Sequence, residues 1–289
     1  GGIAHILTVM ARTPDPKNPK GKVTAFLVTP DTPGFEGIEK RAPKCGIRGT
    51  ATGKMRFTNM RVPKENVLGE LGRGLQAALT VLNYGRITFG ATCTGHAKAC
   101  IKAMVEHAKK RVQFQQPLSE FHLVQKKIAF AAAHCFAMEA ATTECAAFID
   151  SNAPDYMLET AMLKVFTTER LWDAVNDCFQ IHGGSAYFDD SPLGRMLRDA
   201  RINQIGEGSN EVLTSFIALV GMRGPGMEFK EIYDTMLKPW RQDRAKAWGA
   251  GLKRLSAAVK VPEVPVRNDR LKSYAGQLAR LVWRFNFAV

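Results

Sequence analysis

The segment "GLQAALTVLNYGRITFGATCTGHAKACIKAMVEHAKK", residues 74–110, decides the fold class. Its apolar residues recur at intervals of three and four, which is the periodicity of an amphipathic α-helix. The same periodicity returns in two further long runs and two short ones, at 122–150, 155–181, 192–202 and 209–221. Because short connections join the long runs, the sequence predicts an antiparallel four-helix bundle over residues 70–222.

The chain ahead of this helix has a different pattern. The stretches "ILTVMA", "VTAFLV" and "GKMRFTNMRV" alternate in the manner of β-strands and are separated by turns rich in Pro and Gly. Residues 1–69 are therefore expected to form part of an antiparallel β-domain. The predicted fold class is α+β and mainly α.

The composition changes again after residue 222. Residues 222–289 carry 14 Lys and Arg against 6 Asp and Glu, which is +8 of the formal net charge of +13. Basic helical stretches with Trp240, Trp248 and Trp283 are split by the linker "VKVPEVPVRND". We expect a helical extension over 223–289. Because the first residues run directly into a strand without an initiating Met, we also expect an incomplete chain.

Composition excludes several classes of protein. No apolar run approaches the roughly 20 residues that span a bilayer, so an integral membrane protein is not expected. The six cysteines show no C-x-x-C spacing, which indicates a reducing compartment, and the six histidines show no spacing typical of a metal site. The positive charge indicates an anionic partner: nucleic acid, a phosphorylated cofactor or a lipid surface.

The stretch "QIGEGSNEV", residues 204–212, places Glu207 between two glycines just before a helical run. In the first interpretation, Ser209 or Asn210 caps that helix and Glu207 is only an exposed side chain. In the second, the glycines let a substrate approach the backbone closely while Glu207 removes a proton from it. The loop alone does not separate these interpretations.

Other motifs are equally ambiguous in isolation, but their order is specific. A β-segment ending "CGIRGTATGKMRFTNMRVPKENVLG" is followed by N-x-G-R, R-x-x-F, Q-x-x-G-G and R-D-x-R-I-x-x-I-x-E-G-S-N-E-V. In this order and spacing the motifs resemble the acyl-CoA dehydrogenase family throughout residues 1–222. The resemblance implies that the family's N-terminal helical domain is missing from this chain. The length of the loop 111–125, the S-N-E-V ending and the basic extension are similar to the very-long-chain branch.

The resemblance implies a role for each motif. Glu207 would be the base that takes the α-proton of a long-chain fatty acyl-CoA while N5 of FAD takes the β-hydride, as in fatty acid β-oxidation. Gly206 and Gly208 would keep the site narrow, and Asn83 and Arg86 would contact the thioester end of the substrate. The remaining matches imply FAD contacts, made from the neighbouring subunit of a homodimer by Arg111, Phe114, Gln180, Gly183 and Gly184, and within the same subunit by Ser209 and Asn210.

The resemblance also implies partners and compartment. Electron-transfer flavoprotein is the expected electron acceptor, and no nucleic acid is expected. Independently of the resemblance, the excess positive charge, tryptophans and apolar residues of 223–289 indicate peripheral membrane binding. In the alternative interpretation, these apolar residues pack on the second subunit. The compartment would be the bacterial cytoplasm or inner membrane, or the mitochondrion of a eukaryote. Two residues depart from the family pattern: Gln115 stands where Gly is usual, and Gly206 replaces an aromatic residue.

Three other functions remain open on the same scaffold. One is a non-catalytic relative that acts in respiratory-complex assembly, against which the presence of Glu207 argues. Another is a nucleic-acid-binding relative, although the basic tail carries no recognisable nucleic-acid motif. The last is a flavin oxidase or monooxygenase.

Overall fold

A computed structural model describes residues 2–237, 249 and 261–288. The chain forms two compact units, residues 1–214 and 215–289. The fold is mainly helical with small antiparallel sheets, as predicted. The domain boundaries expected from the sequence, at residues 69 and 222, stay predictions.

The β-structure of residues 2–69 consists of two small antiparallel sheets. The larger has the strand order β1-β2-β5, with Leu7 opposite Val28, and the smaller pairs β3 with β4. The prediction of antiparallel strands before residue 69 is confirmed. The strand bounds are β1 (Leu7–Asp15), β2 (Asn18–Val28), β3 (Phe35–Glu39), β4 (Lys54–Phe57) and β5 (Val67–Leu68).

The helices follow the predicted periodicity closely. The first two begin and end where the sequence predicts, but the fifth continues 16 residues beyond the predicted end at 221. That predicted end was wrong because glycine weakens a helix by about 1 kcal/mol without having to terminate it. The helix bounds are α1 (Gly74–Lys110), α2 (His122–Asp150), α3 (Met157–His182), α4 (Pro192–Arg201) and α5 (Asn210–Leu237).

Helices α1, α2 and α3 pack on one another, and α4 packs on α3. Their shared core is built largely from small thiol, methyl and thioether side chains, including Cys93, Cys100, Met104, Met138 and Cys178. Side chains of this size let long helices approach closely and fill irregular gaps between them. The three long helices thus form a rigid frame for the loops at their ends.

Two close contacts seat the β-structure on this frame. A Cβ at Gly74 would lie 2.6 Å from the backbone N of Ala25, so α1 begins directly against β2. A Cβ at Gly46 would lie 2.2 Å from the carbonyl O of Arg198. Next to it, the backbone N–H of Ile47 donates to Asp199 Oδ1 at 2.6 Å. The motifs C-G-I-R-G-T and R-D-x-R therefore meet in space.

In the second unit, a helix spans Lys272–Ala288. Ala275 and Ala279 are its buried residues, whereas a stripe of apolar side chains is exposed at Leu271, Tyr274, Leu278, Leu281 and Phe285. The residues Trp240, Trp248, Leu252, Leu255 and Val259, expected to share this character, lie outside the described part of the chain. Among the described helices, none has the length and apolar character needed to cross a membrane.

Candidate active site

Glu207 lies in the short loop between the 3-10 turn Ile202–Gln204 and α5, and its backbone is strained. Its φ is 58°, in the left-handed region, and Gly208 follows with a φ of 94°. A non-glycine residue held in such a conformation costs about 1–3 kcal/mol, and residues of this kind cluster at functional sites. Surrounding contacts must therefore hold the loop in place.

The carboxylate of Glu207 lies over helix α1 at Gly85. A Cβ at position 85 would come within 3.0 Å of Glu207 Oε2 and 3.1 Å of its Cδ. Glycine therefore provides the space that the half-buried carboxylate occupies. Gly85, which contacts the carboxylate, and Arg86 are thus adjacent residues of α1.

The guanidinium of Arg86 is buried beside this loop. Its Nε donates to the carbonyl O of Glu207 at 3.5 Å, and its Nη1 donates to Asn83 Oδ1 at 3.3 Å. The same Asn83 oxygen accepts from Thr160 Oγ1 on α3 at 3.3 Å. Burial lowers the pKa of Arg86, and the negative charge of Glu207 opposes that shift. The structure thus brings Asn83, Arg86 and Glu207 together, as the resemblance implies.

A second cation holds the other side of the loop. Lys164 on α3 is fully buried, and its ammonium donates to the carbonyl O of Gly208 at 2.8 Å and to Asn210 Oδ1 at 2.7 Å. Asn210 Nδ2 in turn donates to Thr168 Oγ1 at 3.1 Å. Burial lowers the pKa of the Lys164 ammonium to about 8. The amide of Asn210 therefore has partners within its own chain, and its contact with FAD stays a prediction.

Ser209 and Gly206, which lie in the same loop as Glu207, differ in role. Ser209 Oγ accepts from the backbone N–H of Val212 at 3.4 Å, so Ser209 caps α5, one of the two caps considered from the sequence. Gly206 is surrounded more loosely, because a Cβ there would lie 3.6 Å from both Ile202 O and a ring carbon of Phe89. Position 206 could hold a side chain, and its glycine leaves that space open.

Arg111 and Phe114 lie at the far end of α1. Arg111 follows the last residue of the helix, and the hairpin of β6 (Val112–Gln113) and β7 (Gln116–Pro117) begins there. Phe114 and Gln115 form its two-residue turn with φ values of 49° and 65°. Positive φ at both central residues is the type I′ geometry that usually takes glycine at the second position. The Phe114 side chain is 87% exposed and available to a ligand.

Gln180, Gly183 and Gly184 lie at the same end of the bundle, where α3 ends. The rings of His107 on α1 and His182 on α3 have centroids 4.2 Å apart, which places the two helix ends side by side. Gly183 has a φ of 60°, and a Cβ at either glycine would meet nothing within 4 Å. The exposed backbone here is open to a ligand from outside the chain.

The two groups of residues are far apart within one chain. Helix α1 continues for 24 residues from Arg86 to its end at Lys110, which is about 36 Å at 1.5 Å per residue. The group around Glu207 and the group around Arg111 therefore lie at opposite parts of the bundle. Within one chain, Arg111 is therefore not part of the group around Glu207.

Comparison with known proteins places the chain in a family. Residues 72–221 match the family model described as "Acyl-CoA dehydrogenase, C-terminal domain". The chain belongs to the acyl-CoA dehydrogenase family. Over 246 residues it is 37% identical to the human very long-chain specific acyl-CoA dehydrogenase of mitochondria, a match that covers 83% of this chain and 37% of that protein.

Further acyl-CoA dehydrogenases are similar. The Mycobacterium tuberculosis protein named "Probable acyl-CoA dehydrogenase FadE10" is 36% identical over 228 residues, covering 75% of this chain and 35% of that one. The structure of butyryl-CoA dehydrogenase from Megasphaera elsdenii is similar with a TM-score of 0.72 at 33% identity, covering 77% of this chain and 57% of that one. The chain thus spans little more than a third of the length of its curated acyl-CoA dehydrogenase relatives.

The sequence analysis missed Lys164, which lies in the group around Glu207. A signal was present in "ETAMLKVFTTE", where a single lysine lies among residues that helical spacing puts on the buried face, with Thr160 and Thr168 one turn away on either side. A buried lysine on a helix needs oxygen partners from another element. The loop after Glu207 supplies them.

Metal ligands and disulfides take no part in the described geometry. In the described ranges, no cluster of three or more His, Cys, Asp and Glu side chains could hold a metal ion. All six cysteines are free thiols, and all but Cys45 are buried. Burial raises the pKa of Cys93, beside the Lys164 ammonium, to about 12, so its thiol stays neutral near pH 7.

Proposed function

We propose that this protein catalyses the flavin-dependent 2,3-dehydrogenation of long-chain fatty acyl-CoA thioesters, with Glu207 as the base. The observation that carries the proposal is the strained loop of Glu207, whose carboxylate lies over Gly85 while Arg86 and Lys164 bond two successive backbone carbonyls. A carboxylate held this firmly at an open loop is suited to removing a proton from a bound substrate. Family membership supplies the reaction class.

In the proposed reaction, Glu207 takes the proton from the α-carbon as the C–H bond breaks. The β-carbon would lose a hydride as a C=C bond forms between the two carbons, and bound FAD would supply the acceptor for that hydride. The backbone N–H of Glu207 would donate to the thioester carbonyl and stabilise the negative charge that develops there. Gly206 and Gly208 place no side chain between the loop and the substrate.

The residues at the Arg111 end fit an FAD molecule that is shared between two subunits. Arg111 can pair with a pyrophosphate, the exposed ring of Phe114 can stack on a planar group, and the open backbone at Gly183 and Gly184 allows close approach. Because this group lies about 36 Å along α1 from Arg86, its ligand would complete the site of Glu207 in a second copy. We therefore propose a homodimer.

Electron-transfer flavoprotein is the proposed acceptor of the electrons. The assembly-factor alternative is disfavoured by the arrangement around Glu207, since a non-catalytic protein has no need of a strained acid between two buried cations. The oxidase or monooxygenase alternative differs in what reoxidises the flavin, and oxygen consumption separates it from the dehydrogenase.

We also propose that residues 223–289 bind anionic membrane surfaces and bring the protein to its water-insoluble substrates. The exposed apolar stripe of the helix Lys272–Ala288 supports this, together with Arg270, Lys272, Arg280 and Arg284 nearby in sequence. Apolar side chains combined with excess positive charge are typical of helices that lie at a lipid interface.

The dehydrogenase proposal is tested by adding palmitoyl-CoA anaerobically to the FAD-loaded, full natural chain. Reduction of the flavin is measured as the loss of its visible absorption. Glu207→Gln preserves the shape of the side chain and removes the base, so reduction should fall by at least 10³-fold while palmitoyl-CoA binding stays within threefold. Glu144→Gln, at an exposed position on α2, is the matched control and should reduce normally. Near-normal reduction by Glu207→Gln would overturn the assignment of the base.

A further inference from the structure

Lys164 reaches the loop of Glu207 from the opposite side to Arg86. Its Nζ is bonded to the carbonyl O of Gly208 and to Asn210 Oδ1, while Arg86 Nε is bonded to the carbonyl O of Glu207. Two cations on two different helices thus hold two successive peptide groups of one loop. Neither cation forms a described ion pair with the Glu207 carboxylate, which is left for the substrate.

The contacts around Lys164 fix both the loop and the start of α5. Asn210 is the first residue of α5, and its amide lies between the Lys164 ammonium and Thr168 Oγ1, one turn further along α3. Thr168 Oγ1 also donates to the carbonyl O of Lys164 at 2.8 Å. Lys164, Thr168 and Asn210 are buried, so the hydrogen bonds among them are shielded from water, whereas Gly208 lies at the surface. Loss of the ammonium would leave the buried Oδ1 of Asn210 without its charged donor and would release the carbonyl O of Gly208.

We propose that Lys164 is a positioning residue for proton abstraction: its charged ammonium clamps Gly208 and Asn210 and thereby holds the Glu207 carboxylate over Gly85. The inference rests on the proposed function of Glu207 as the base. Misplacement of a reacting group by about 1 Å can lower a rate by roughly 10²-fold. A clamp on the neighbouring peptide therefore acts on the chemical step more than on substrate affinity.

The charge of this clamp changes close to physiological pH. The groups that face Lys164 are Cys93 and Arg86 on α1, Glu207 in the loop and Glu211 at the start of α5. Burial and the positive charge of Arg86 favour the neutral amine, and the two carboxylates favour the ammonium. Because the pKa of Lys164 is lowered to about 8, the charge-assisted bonds weaken as the pH rises through that value.

Three variants of the full natural chain separate positioning from packing. Lys164→Met keeps an unbranched side chain and removes the donor, Lys164→Arg keeps a charge that no accessible pH removes, and Lys102→Met is the control at an exposed lysine of α1. Single-turnover reduction of FAD by palmitoyl-CoA is measured from pH 6.5 to 9.5. Calorimetry gives the affinity for palmitoyl-CoA in protein without flavin, and hydrogen exchange at pH 6.5 reports on residues 205–209.

The expected wild-type rate falls above about pH 8. Lys164→Met should reduce FAD at least tenfold more slowly at pH 7, bind palmitoyl-CoA within threefold of wild type, and exchange the amides of residues 205–209 at least tenfold faster. Lys164→Arg should recover part of the rate and lose the alkaline decline. Lys102→Met should match wild type throughout.

A wild-type exchange rate in folded Lys164→Met, or an alkaline decline that persists unchanged in Lys164→Arg, would overturn the proposal. Where Lys164→Met does not fold, the comparison of the pH profiles of wild type and Lys164→Arg decides alone. Absence of FAD reduction in every protein, wild type included, would reject the dehydrogenase function instead. Hydrogen exchange would then still decide whether Lys164 holds the loop.

Discussion

The carboxylate of Glu207 rests on Gly85, with 3.0 Å between Oε2 and the position that a Cβ would take on Gly85. This contact connects two residues that are 122 positions apart in the sequence, the one on α1 and the other before α5. It explains why α1 carries a glycine in the middle of a helix, where glycine is unfavourable by about 1 kcal/mol. The carboxylate of Glu207 occupies the space that a side chain at position 85 would need.

Gly85→Ala should therefore displace the carboxylate by a few tenths of an ångström without unfolding the helix. We expect flavin reduction by palmitoyl-CoA to fall about tenfold, because proton abstraction depends steeply on geometry, with a change in the free energy of unfolding below about 1 kcal/mol. Gly95→Ala, on the same helix with no atom near its Cβ, is the matched control. It should stabilise the protein slightly and leave the rate unchanged. Equal rates in both variants would argue against the importance of the contact.

Arg111→Ala should weaken the retention of FAD and the formation of dimers together, since the guanidinium is proposed to hold a pyrophosphate across the interface. Gel filtration with absorbance at the flavin and protein bands measures both. Lys109→Ala, at an exposed position in the last turn of α1, is the control. If Arg111→Ala still carries stoichiometric FAD after gel filtration, Arg111 does not bind the cofactor and has only a structural role at the end of α1.

The paired imidazoles of His107 and His182 predict a loss of stability in mild acid. Burial and the positive charges of His182 and Arg111 lower the pKa of His107 below 6.5. The folded state therefore binds fewer protons than the unfolded state below about pH 6.5, and stability falls as the pH drops through the folded pKa. Thermal unfolding between pH 7 and 5 should show this slope, and His107→Gln should flatten it. An unchanged slope in the variant would assign the effect to other groups, such as His96.

Lys164 predicts a second rise of stability with pH, in mild alkali. Its pKa is about 8 in the folded state and 10.5 for the ordinary side chain, so the folded state releases its proton first and stability rises between these values. The difference corresponds to about 3 kcal/mol between pH 8 and pH 10.5. Chemical unfolding of wild type and Lys164→Met should show wild type gaining stability relative to the variant over this range. Parallel pH curves would contradict the burial of a titrating ammonium.

The hairpin at the end of α1 carries avoidable strain. Gln115 has a φ of 65°, which a side chain disfavours by about 1 kcal/mol. Gln115→Gly should therefore raise the free energy of unfolding by about 0.5–1 kcal/mol, measured by urea denaturation. Gln113→Gly, in the strand β6 of the same hairpin, should lower it instead. A loss of stability in Gln115→Gly would show that its side chain makes a contact worth more than the strain.

The periodicity of apolar residues was sufficient to predict the main helices and strands of this protein. The bounds of α1 and α2 and the antiparallel strands before residue 69 agree with prediction because they depend on the local alternation of apolar and polar residues. The motif order was sufficient for the family. Through the resemblance it indicated Glu207 as the base and Asn83 and Arg86 as contacts to the substrate, and these roles stay predictions. The end of α5 was wrong because local glycines weaken a helix without dictating where it stops.

Only the tertiary structure decided what surrounds Glu207. The partners of Lys164 lie 44 and 46 residues away in the sequence, and Gly85 is still farther from the acid that it accommodates. Periodicity assigns a residue to a face of a helix, but the element that covers that face is set by packing over long separations. The same limit explains why the hydrogen bonds of Asn210 to Lys164 and Thr168 were not predicted from the sequence. The expected contact of Asn210 with FAD stays a prediction.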